Sequence, residues 1–416
     1  MSDTLRNPVI VGGNRTPFAK SGTAYAAAST QQLLTAALDG LVARYGLAGE
    51  KIDEVAAGAV MKHSKDFNLT RESVLGTALD PHTPAVDLTQ ACATSLEAVI
   101  YLSNKIRLGQ ATTAIAGGVD STSDAPIAVS EGLRKVLLQL SRERTTQGKF
   151  KALAKLRPQH LVPSPPSSGE PRTGKSMGAS QAVTTEAWGI SREAQDEVAY
   201  NSHQRLAKAW DSGFFDDLVT PFNGLTRDNV LRPETTLEKL ASLKPVFGNT
   251  MTAGNSTALT DGAATVLLAE EDTARARGWQ PLARFVDAQV AAVDFVEGNP
   301  RTDGLLMAPA YAIPELLERN GLTPQDFEIF EFHEAFAGTV LSHLKALEAQ
   351  GITIPTERIN PDGSSLAAGH PFAATGARIV ASLAKRLHEK GPGTRGMVSI
   401  CAAGGQGVVA ILEAVS

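Results

Sequence analysis

Apolar and polar positions along the chain alternate between two periods. The run "NPVIVGG" (7–13) predicts an opening strand that ends in a glycine turn and leads into "RTPF". "STQQLLTAALDGLVARYG" (29–46) carries its apolar residues at helical spacing, with Ser29 or Thr30 as the cap and Gly46 as the stop. "EVAAGAV" (54–60) reads as a short strand. "AVDLTQACATSLEAVIYLSNKIRLG" (85–109) reads as a strand, a turn and an amphipathic helix, and "TTAIAGGVDS" (112–121) as the next strand. This is the βαβ alternation of an α/β domain.

From about residue 121 to 249 the pattern changes: charge rises and strands become scarce. "GLRKVLLQLSRERTTQGKFKALAKL" (132–156) is helical, basic and apolar, and "RPQHLVPSPPSSGEPRTG" (157–174) is a loop rich in Pro, Ser and Gly. "SREAQDEVAYNSHQRLAKAWDSG" (191–213) is a helix capped by Ser191. The region reads as an insertion. After about 279 the α/β pattern returns in "PLARFVDAQVAAV", "IPELLERNG", "DFEIFEFHEAFAGTVLSHLKALEAQG", "GHPFAATGARIVASLAKRLHEKG" and "RGMVSICAAGGQGVVAILEAV". Each half has a helix that begins in a small-residue motif and a strand that ends in Gly-Gly, "TAIAGGVD" and "SICAAGGQG". The pairing suggests an internal duplication.

With 416 residues the chain exceeds one ordinary domain. A net charge of -5 argues against a nucleic-acid surface. The two cysteines, Cys92 and Cys401, form no C-x-x-C pair, so neither a structural zinc site nor a disulfide framework is expected. The amino-terminal stretch has no basic n-region or long apolar core, and no run is long enough to span a bilayer. A cytoplasmic location is therefore expected.

"GEPRTGKS" (169–176) fits the phosphate-binding pattern G-x-x-x-x-G-K-[ST]. That pattern works only when a buried strand feeds the loop, and here the prolines of "LVPSPPSS" precede it. A solvated turn is expected instead. Cys92 lies between a strand and a helix, where the helix macrodipole would lower its pKa and a sharp turn would expose it as a nucleophile. His370, among small residues in "AAGHPFAATGAR", is expected at a loop. His203, His343 and His388 fall in helices among polar neighbours and are expected at the surface. Cys401 stands at a strand end whose glycines permit backbone N–H groups to converge on an oxyanion. His333 opens "HEAFA", but position 337 is Ala, so the H-E-x-x-H metal motif fails.

Taken together, "RTPF", "QACATS" (90–95), "TAGNSTALTDGAA" (252–264), "HEAFA", "GHPFAATGAR" and "CAAGGQG" resemble the thiolases over nearly the whole chain. "AGGVDSTSDAPIAVSEGLRKVLL" is similar to the start of the insertion in β subunits of fatty-acid oxidation trifunctional complexes. The sequence departs from many thiolases at His333, where Asn is frequent, and in "NPDGSSLAAGHP", which has Ser where Gly is frequent.

The resemblance implies an α/β fold of duplicated layered halves with mixed five-stranded sheets and an inserted loop domain. The halves would be 1–120 with 250–278, and 279–416, and the loop domain 121–249. It implies thiolase activity, a reversible Claisen exchange between CoA thioesters. Cys92 would be the nucleophile, His370 its base and Cys401 the acid–base at the α-carbon, its pKa near neutral. His333, through a water, would support one oxyanion site with His370; the N–H groups of Cys92 and Ala403 would form the other. Met177 would line the acyl pocket, and Ser256 and Thr257 the pantetheine channel. No metal or redox cofactor is implied, since CoA is a substrate. The implied partners are a second copy, as a homodimer or homotetramer, and a hydratase/dehydrogenase α subunit. Alternatives are an acetoacetyl-CoA-forming acetyltransferase, a ketoacyl synthase and a non-catalytic CoA- or lipid-binding protein. Cys401, where a synthase would carry a second histidine, argues against the synthase.

Overall fold

A computed structural model describes residues 5–167 and 169–416. Its strands are β1 (Pro8–Arg15), β2 (Ala19–Lys20), β3 (Glu54–Ala57), β4 (Ala85–Asp87), β5 (Thr113–Asp120), β6 (Pro245–Phe247), β7 (Met251–Thr252), β8 (Thr260–Glu270), β9 (Ala283–Ala292), β10 (Ile329–Phe332), β11 (Arg395–Ala402) and β12 (Gln406–Ala414).

The main sheet runs β4-β3-β5-β8-β1-β9-β12-β11-β10. In the first half β1 pairs antiparallel with β8, β8 antiparallel with β5, and β5 parallel with β3, which pairs parallel with β4. The second half repeats the scheme: β9 antiparallel to β12, β12 antiparallel to β11, β11 parallel to β10. Its fifth position is reduced to one parallel bridge between Phe330 and Ile359. The duplication read from the Gly-Gly strand ends is thus a duplication of pairing order. The halves join where Val9 and Ile10 of β1 meet Arg284 and Ala283 of β9.

Alternation along the strands sorts residues into layers. Leu267 of β8 packs with Leu33, Leu34 and Leu41 of the helix Thr30–Tyr45. Val266 and Leu268 point the other way, toward the helices Thr94–Arg107 and Thr375–Lys390. In the second half Val398 and Ile400 join that central layer, while Met397, Val409 and Ile411 pack against the helices Pro309–Asn320 and Ala337–Glu348. With both faces covered, the strands read as continuous apolar runs. Each fully buried Leu or Ile contributes roughly 1.5–3 kcal/mol.

The two central helices cross at Gly376. A Cβ there would lie 2.4 Å from the backbone nitrogen of Leu96, so only glycine permits the approach. The Ala377 N–H also donates to Ser95 Oγ at 2.8 Å. These contacts bring the start of one helix against the start of the other.

"RTPF" has a structural reason. Arg15, buried, pairs with Asp228 through two bonds of 2.6 and 2.8 Å, and the same carboxylate accepts from the Phe18 N–H and Trp210 Nε1. Removing one partner would strand the other and cost about 3–5 kcal/mol.

Between β5 and β8 lie the helices Glu131–Arg142, Thr146–Leu153, Met177–Ala187, Arg192–Asp211 and Leu237–Ala241. The surface placement expected for His203 and His343 is corrected: both are buried. His203 follows Ala199 and precedes Leu206 on the inward face of its helix, and the Arg232 N–H donates to its Nδ1. His343 donates to the Leu306 carbonyl. The periodicity of their helices outweighs the polarity of their neighbours. Among the described residues, no helix is long and apolar enough to cross a membrane.

Candidate active site

Cys92 sits in the turn between β4 and the helix Thr94–Arg107. The turn closes through Ala93 N–H to the Gln90 carbonyl and Thr94 N–H to the Ala91 carbonyl. Thr94 Oγ1 accepts from the Gln90 N–H and donates to the Ala91 carbonyl, each at 2.8 Å. Ala91 is held at φ 46°, a left-handed conformation that costs a residue with a Cβ about 1 kcal/mol. The strain is met at the residue that aims the Cys92 side chain, as it is in nucleophile turns.

His370 Nε2 stands 3.2 Å from Cys92 Sγ. The imidazole is tied on its far side, Nδ1 to Thr375 Oγ1 at 2.5 Å, and its backbone N–H donates to Thr260 Oγ1. The loop carrying it is anchored by the Ala373 N–H on the buried Asp120 carboxylate.

The His333 ring packs 4.1 Å, centroid to centroid, from that of His370. The sulfur of Cys92 and ring nitrogens of both histidines lie within 4.8 Å of one another. Cys401 closes the site at the end of β11, buried in an apolar cluster with Met251, Leu305, Ala335 and Phe336. The β11–β12 hairpin then turns through Gly404 at φ 80°, which a side chain would disfavour. The N–H of Ala403, in that turn, lies by the Cys92 sulfur and favours its thiolate. Gln90 Nε2 donates to Gln406 Oε1 at 3.1 Å, tying the nucleophile turn to the hairpin.

Residues 8–272 match the family description "Thiolase, N-terminal domain" and residues 279–414 match "Thiolase, C-terminal domain". The chain belongs to the thiolase family. Among thiolase relatives it is 40% identical to the mitochondrial trifunctional enzyme subunit beta of Bos taurus, over 99% of this chain and 89% of that one. It is 38% identical to a 3-ketoacyl-CoA thiolase of Yersinia enterocolitica, over 97% and 96%. Among solved structures it resembles the Bacillus anthracis acetyl-CoA acetyltransferase, with TM-score 0.83, 30% identity and 100% of both chains covered. It also resembles human mitochondrial 3-ketoacyl-CoA thiolase in complex with CoA, with TM-score 0.81, 28% identity and 99% and 98% coverage.

The electrostatics of this thiolase site correct two expectations. Burial pushes the Cys92 thiol up to about 12, against the pull of the Ala403 and Cys92 N–H groups, and the Asp120 and Glu170 carboxylates push the same way. Burial, with the nearby Arg378 guanidinium, drops His370 to about 3. Both shifts favour a neutral thiol and a neutral imidazole in the resting pair. At this half-buried residue desolvation outweighs the macrodipole. Cys401 likewise does not sit near neutrality: burial, then the neighbouring Cys92, raise it well above the ordinary thiol value.

Hydrogen-bond capacity favours one tautomer of His333. Arg378, buried, only donates, and its Nη2 bonds Ser364 Oγ and Ser365 Oγ at 3.1 Å each. Ser365 Oγ thereby keeps its own proton free to donate to His333 Nδ1, 2.8 Å away. With Ser365 as donor the His333 proton sits on Nε2, a buried nitrogen with no partner among the described residues. Burial, the neighbouring His370 and Arg378 hold His333 well below the usual histidine range, so it is a neutral donor. Glu334 of "HEAFA" is a clamp: it accepts from Ser202, Asn360 and the Leu366 N–H.

Sequence reasoning brought Cys92, His333, His370 and Cys401 together and missed Thr375, Ser365 and Arg378. Their signal was the polar residues flanking His370 in "SSLAAGHPFAATGAR". Met177 starts the helix Met177–Ala187 and packs in the Cys401 cluster with Phe247 and Phe295. Ser256 bridges Phe336, the Thr257 N–H donates to the Ala335 carbonyl, and the buried Ser256 Oγ has no partner among the described residues. "GEPRTGKS" follows no buried strand: residues 165–167 are irregular and exposed, as is Lys175.

Proposed function

We propose that the protein catalyses reversible thiolysis of 3-ketoacyl-CoA through an S-acyl enzyme at Cys92, in the degradative direction of fatty-acid β-oxidation. The observation that carries this reading is the 3.2 Å contact of His370 Nε2 with Cys92 Sγ, with Cys401 and His333 around the same space.

His370 accepts the Cys92 proton at Nε2, and the sulfur attacks the ketone carbon. The N–H groups of Cys92 and Ala403 receive the oxygen that becomes negative; such a donor contributes about 3 kcal/mol. Collapse breaks the C2–C3 bond and leaves the acyl group on Cys92. The His333 Nε2–H, through a water, and the imidazolium of His370 face the enolate oxygen. Cys401 gives its proton to C2, and acetyl-CoA leaves. His370 then hands its proton to the Cys401 thiolate and accepts that of incoming CoA. CoA attacks the acyl group, and His370 returns the proton to Cys92. A thiol held above its ordinary pKa suits a step in which it must first be an acid. The cycle balances with CoA as substrate and uses no metal or redox cofactor.

Incubation with acetyl-CoA should add one acetyl group at Cys92, and Cys92→Ala should abolish adduct and turnover. An adduct found only on Cys401 overturns the assignment.

Met177 lines the acyl pocket, and Ser256 and Thr257 the pantetheine channel. Residues 1–120 with 250–278 and residues 279–416 form the two halves around a 121–249 loop domain. The enzyme works as a homodimer or homotetramer and docks a hydratase/dehydrogenase α subunit. The trifunctional relatives are β subunits. The supporting surface is the pair of helices Glu131–Arg142 and Thr146–Leu153, which leave Leu137, Leu138, Phe150 and Leu153 exposed beside Arg134, Lys149 and Lys151. Deleting that pair should abolish α-subunit binding; unchanged binding would make it an ordinary solvated hairpin.

A further inference from the structure

"GEPRTGKS" follows no buried strand, but one of its side chains reaches the turn beside the reacting centre. Glu170 is buried at 6% exposure, while Pro171, Arg172, Gly174 and Lys175 around it are exposed. The segment closes on itself: Glu170 N–H donates to the Lys175 carbonyl at 2.9 Å and Gly174 N–H to the Glu170 carbonyl at 2.8 Å. This small loop carries one carboxylate inward, and Glu170 Oε1 accepts from the Gly404 N–H at 2.8 Å. Gly404 directly follows Ala403, whose own N–H lies by the Cys92 sulfur and favours its thiolate.

We propose that Glu170 is a positioning residue that holds the β11–β12 turn so that the Ala403 N–H stays aimed at the reacting atoms of Cys92. The inference rests on the thiolase reading of the site. It assigns the inserted segment a part in catalysis beyond covering the substrate.

The physical argument is one of cost and leverage. Burying a carboxylate is expensive unless it is bonded, and a charge-assisted bond to an N–H is stronger than a neutral one. The turn it grips runs through two left-handed residues, Gly404 at φ 80° and Gly405 at φ 70°. Two glycines in sequence make a pliable turn. A peptide N–H one residue away from a fixed bond has little room to swing, and an oxyanion donor is useful only when it is already in place. The carboxylate also sits close enough to disfavour the Cys92 thiolate. A residue serving packing alone would not need that charge beside the nucleophile.

The experiment compares wild type, Glu170→Ala and Glu170→Gln. Steady-state thiolysis, Cys92 acetylation by acetyl-CoA, thermal melting, and the pH profile of Cys92 alkylation by iodoacetamide are measured for each. Glu170→Ala should lose roughly 10- to 100-fold in kcat, as expected when one oxyanion donor is misplaced but not removed, with little change in KM. Glu170→Gln keeps an acceptor for the Gly404 N–H and should restore kcat to within about 5-fold of wild type. The groups that face the Cys92 thiol are His370, His333, Cys401, Asp120 and Glu170. Removing the Glu170 charge should therefore move the alkylation profile of Glu170→Gln to lower pH. An unchanged kcat in Glu170→Ala overturns the proposal. So does an equal loss in both variants without a shift in the alkylation profile, which would make Glu170 a fold staple only. Failure of wild type to acetylate at Cys92 would instead remove the thiolase reading beneath it.

Discussion

Replacing Cys401 with alanine should separate two reactions that share one nucleophile. Exchange of labelled CoA into acetyl-CoA needs Cys92 to attack and His370 to carry its proton, and no carbanion forms. Thiolysis and condensation also need a proton moved at the α-carbon, and Cys401 is the thiol placed for it. Its side chain is 1% exposed, so removing the sulfur empties a small apolar volume, at a stability cost of roughly 1 kcal/mol. A missing acid–base group costs about 10²–10⁴-fold, which is roughly 3–5.5 kcal/mol of barrier. The chemical effect exceeds the structural one, so the variant should be folded and selectively impaired. Acetoacetyl-CoA thiolysis should fall by those orders of magnitude while exchange stays within about 10-fold. Thermal melting followed by circular dichroism would check the fold. Because burial raises the Cys401 pKa, its thiolate becomes more populated as pH rises, so condensation should gain more from rising pH than exchange does. Equal loss of exchange and thiolysis in a folded variant would mean that Cys401 supports Cys92 directly, and the division of labour would be refuted.

Three further outcomes are expected. Ser365→Ala frees His333 Nδ1 to take the ring proton, and thiolysis kcat should fall about 10-fold with KM little changed; an unchanged kcat would exclude the Arg378–Ser365–His333 relay. Burial lowers His343 from 6.5 to about 4, so its contribution to stability is fully present above the unfolded value and is lost as pH falls from 6.5 toward 4. His343→Gln keeps a donor for the Leu306 carbonyl and should flatten denaturant-measured stability over that window by about 1.4 kcal/mol per pH unit; an unaltered slope would refute it. Lys175→Ala should leave thiolysis within about 5-fold, and calorimetry should detect no magnesium-dependent ATP binding by wild type; micromolar affinity would overturn the reading of "GEPRTGKS" as a loop.

Much of the architecture is present in local pattern. A cap at Ser29 or Thr30 and a stop at Gly46 can be read directly, because a helix end is satisfied by residues a few positions away; the structure uses Ser29, with a Gln32 capping box, and a left-handed Gly46. The duplicated Gly-Gly strand ends foretold the repeated pairing order. Cys92 and His370 were legible for the same reason: a nucleophile turn and a small-residue loop are local shapes. The sequence alone also argued against a phosphate loop, since prolines cannot feed a central strand.

What tertiary structure alone decided is the state of those groups. Whether the Cys92 thiol is acidic depends on the balance of macrodipole and desolvation, and only packing sets the second. The buried faces of His203 and His343 emerge only when their helices are covered on one side. Ser365 and Arg378 acquire meaning at His333, 32 residues away from Ser365 in sequence, because the buried guanidinium spends its donors on the serine. Glu170 meets Gly404 across 234 residues, a contact no spacing rule can propose. A sequence specifies which chemical groups are available and which local turns they favour. Their charge, tautomer and partners follow from which surfaces lose water together, and that depends on the whole fold.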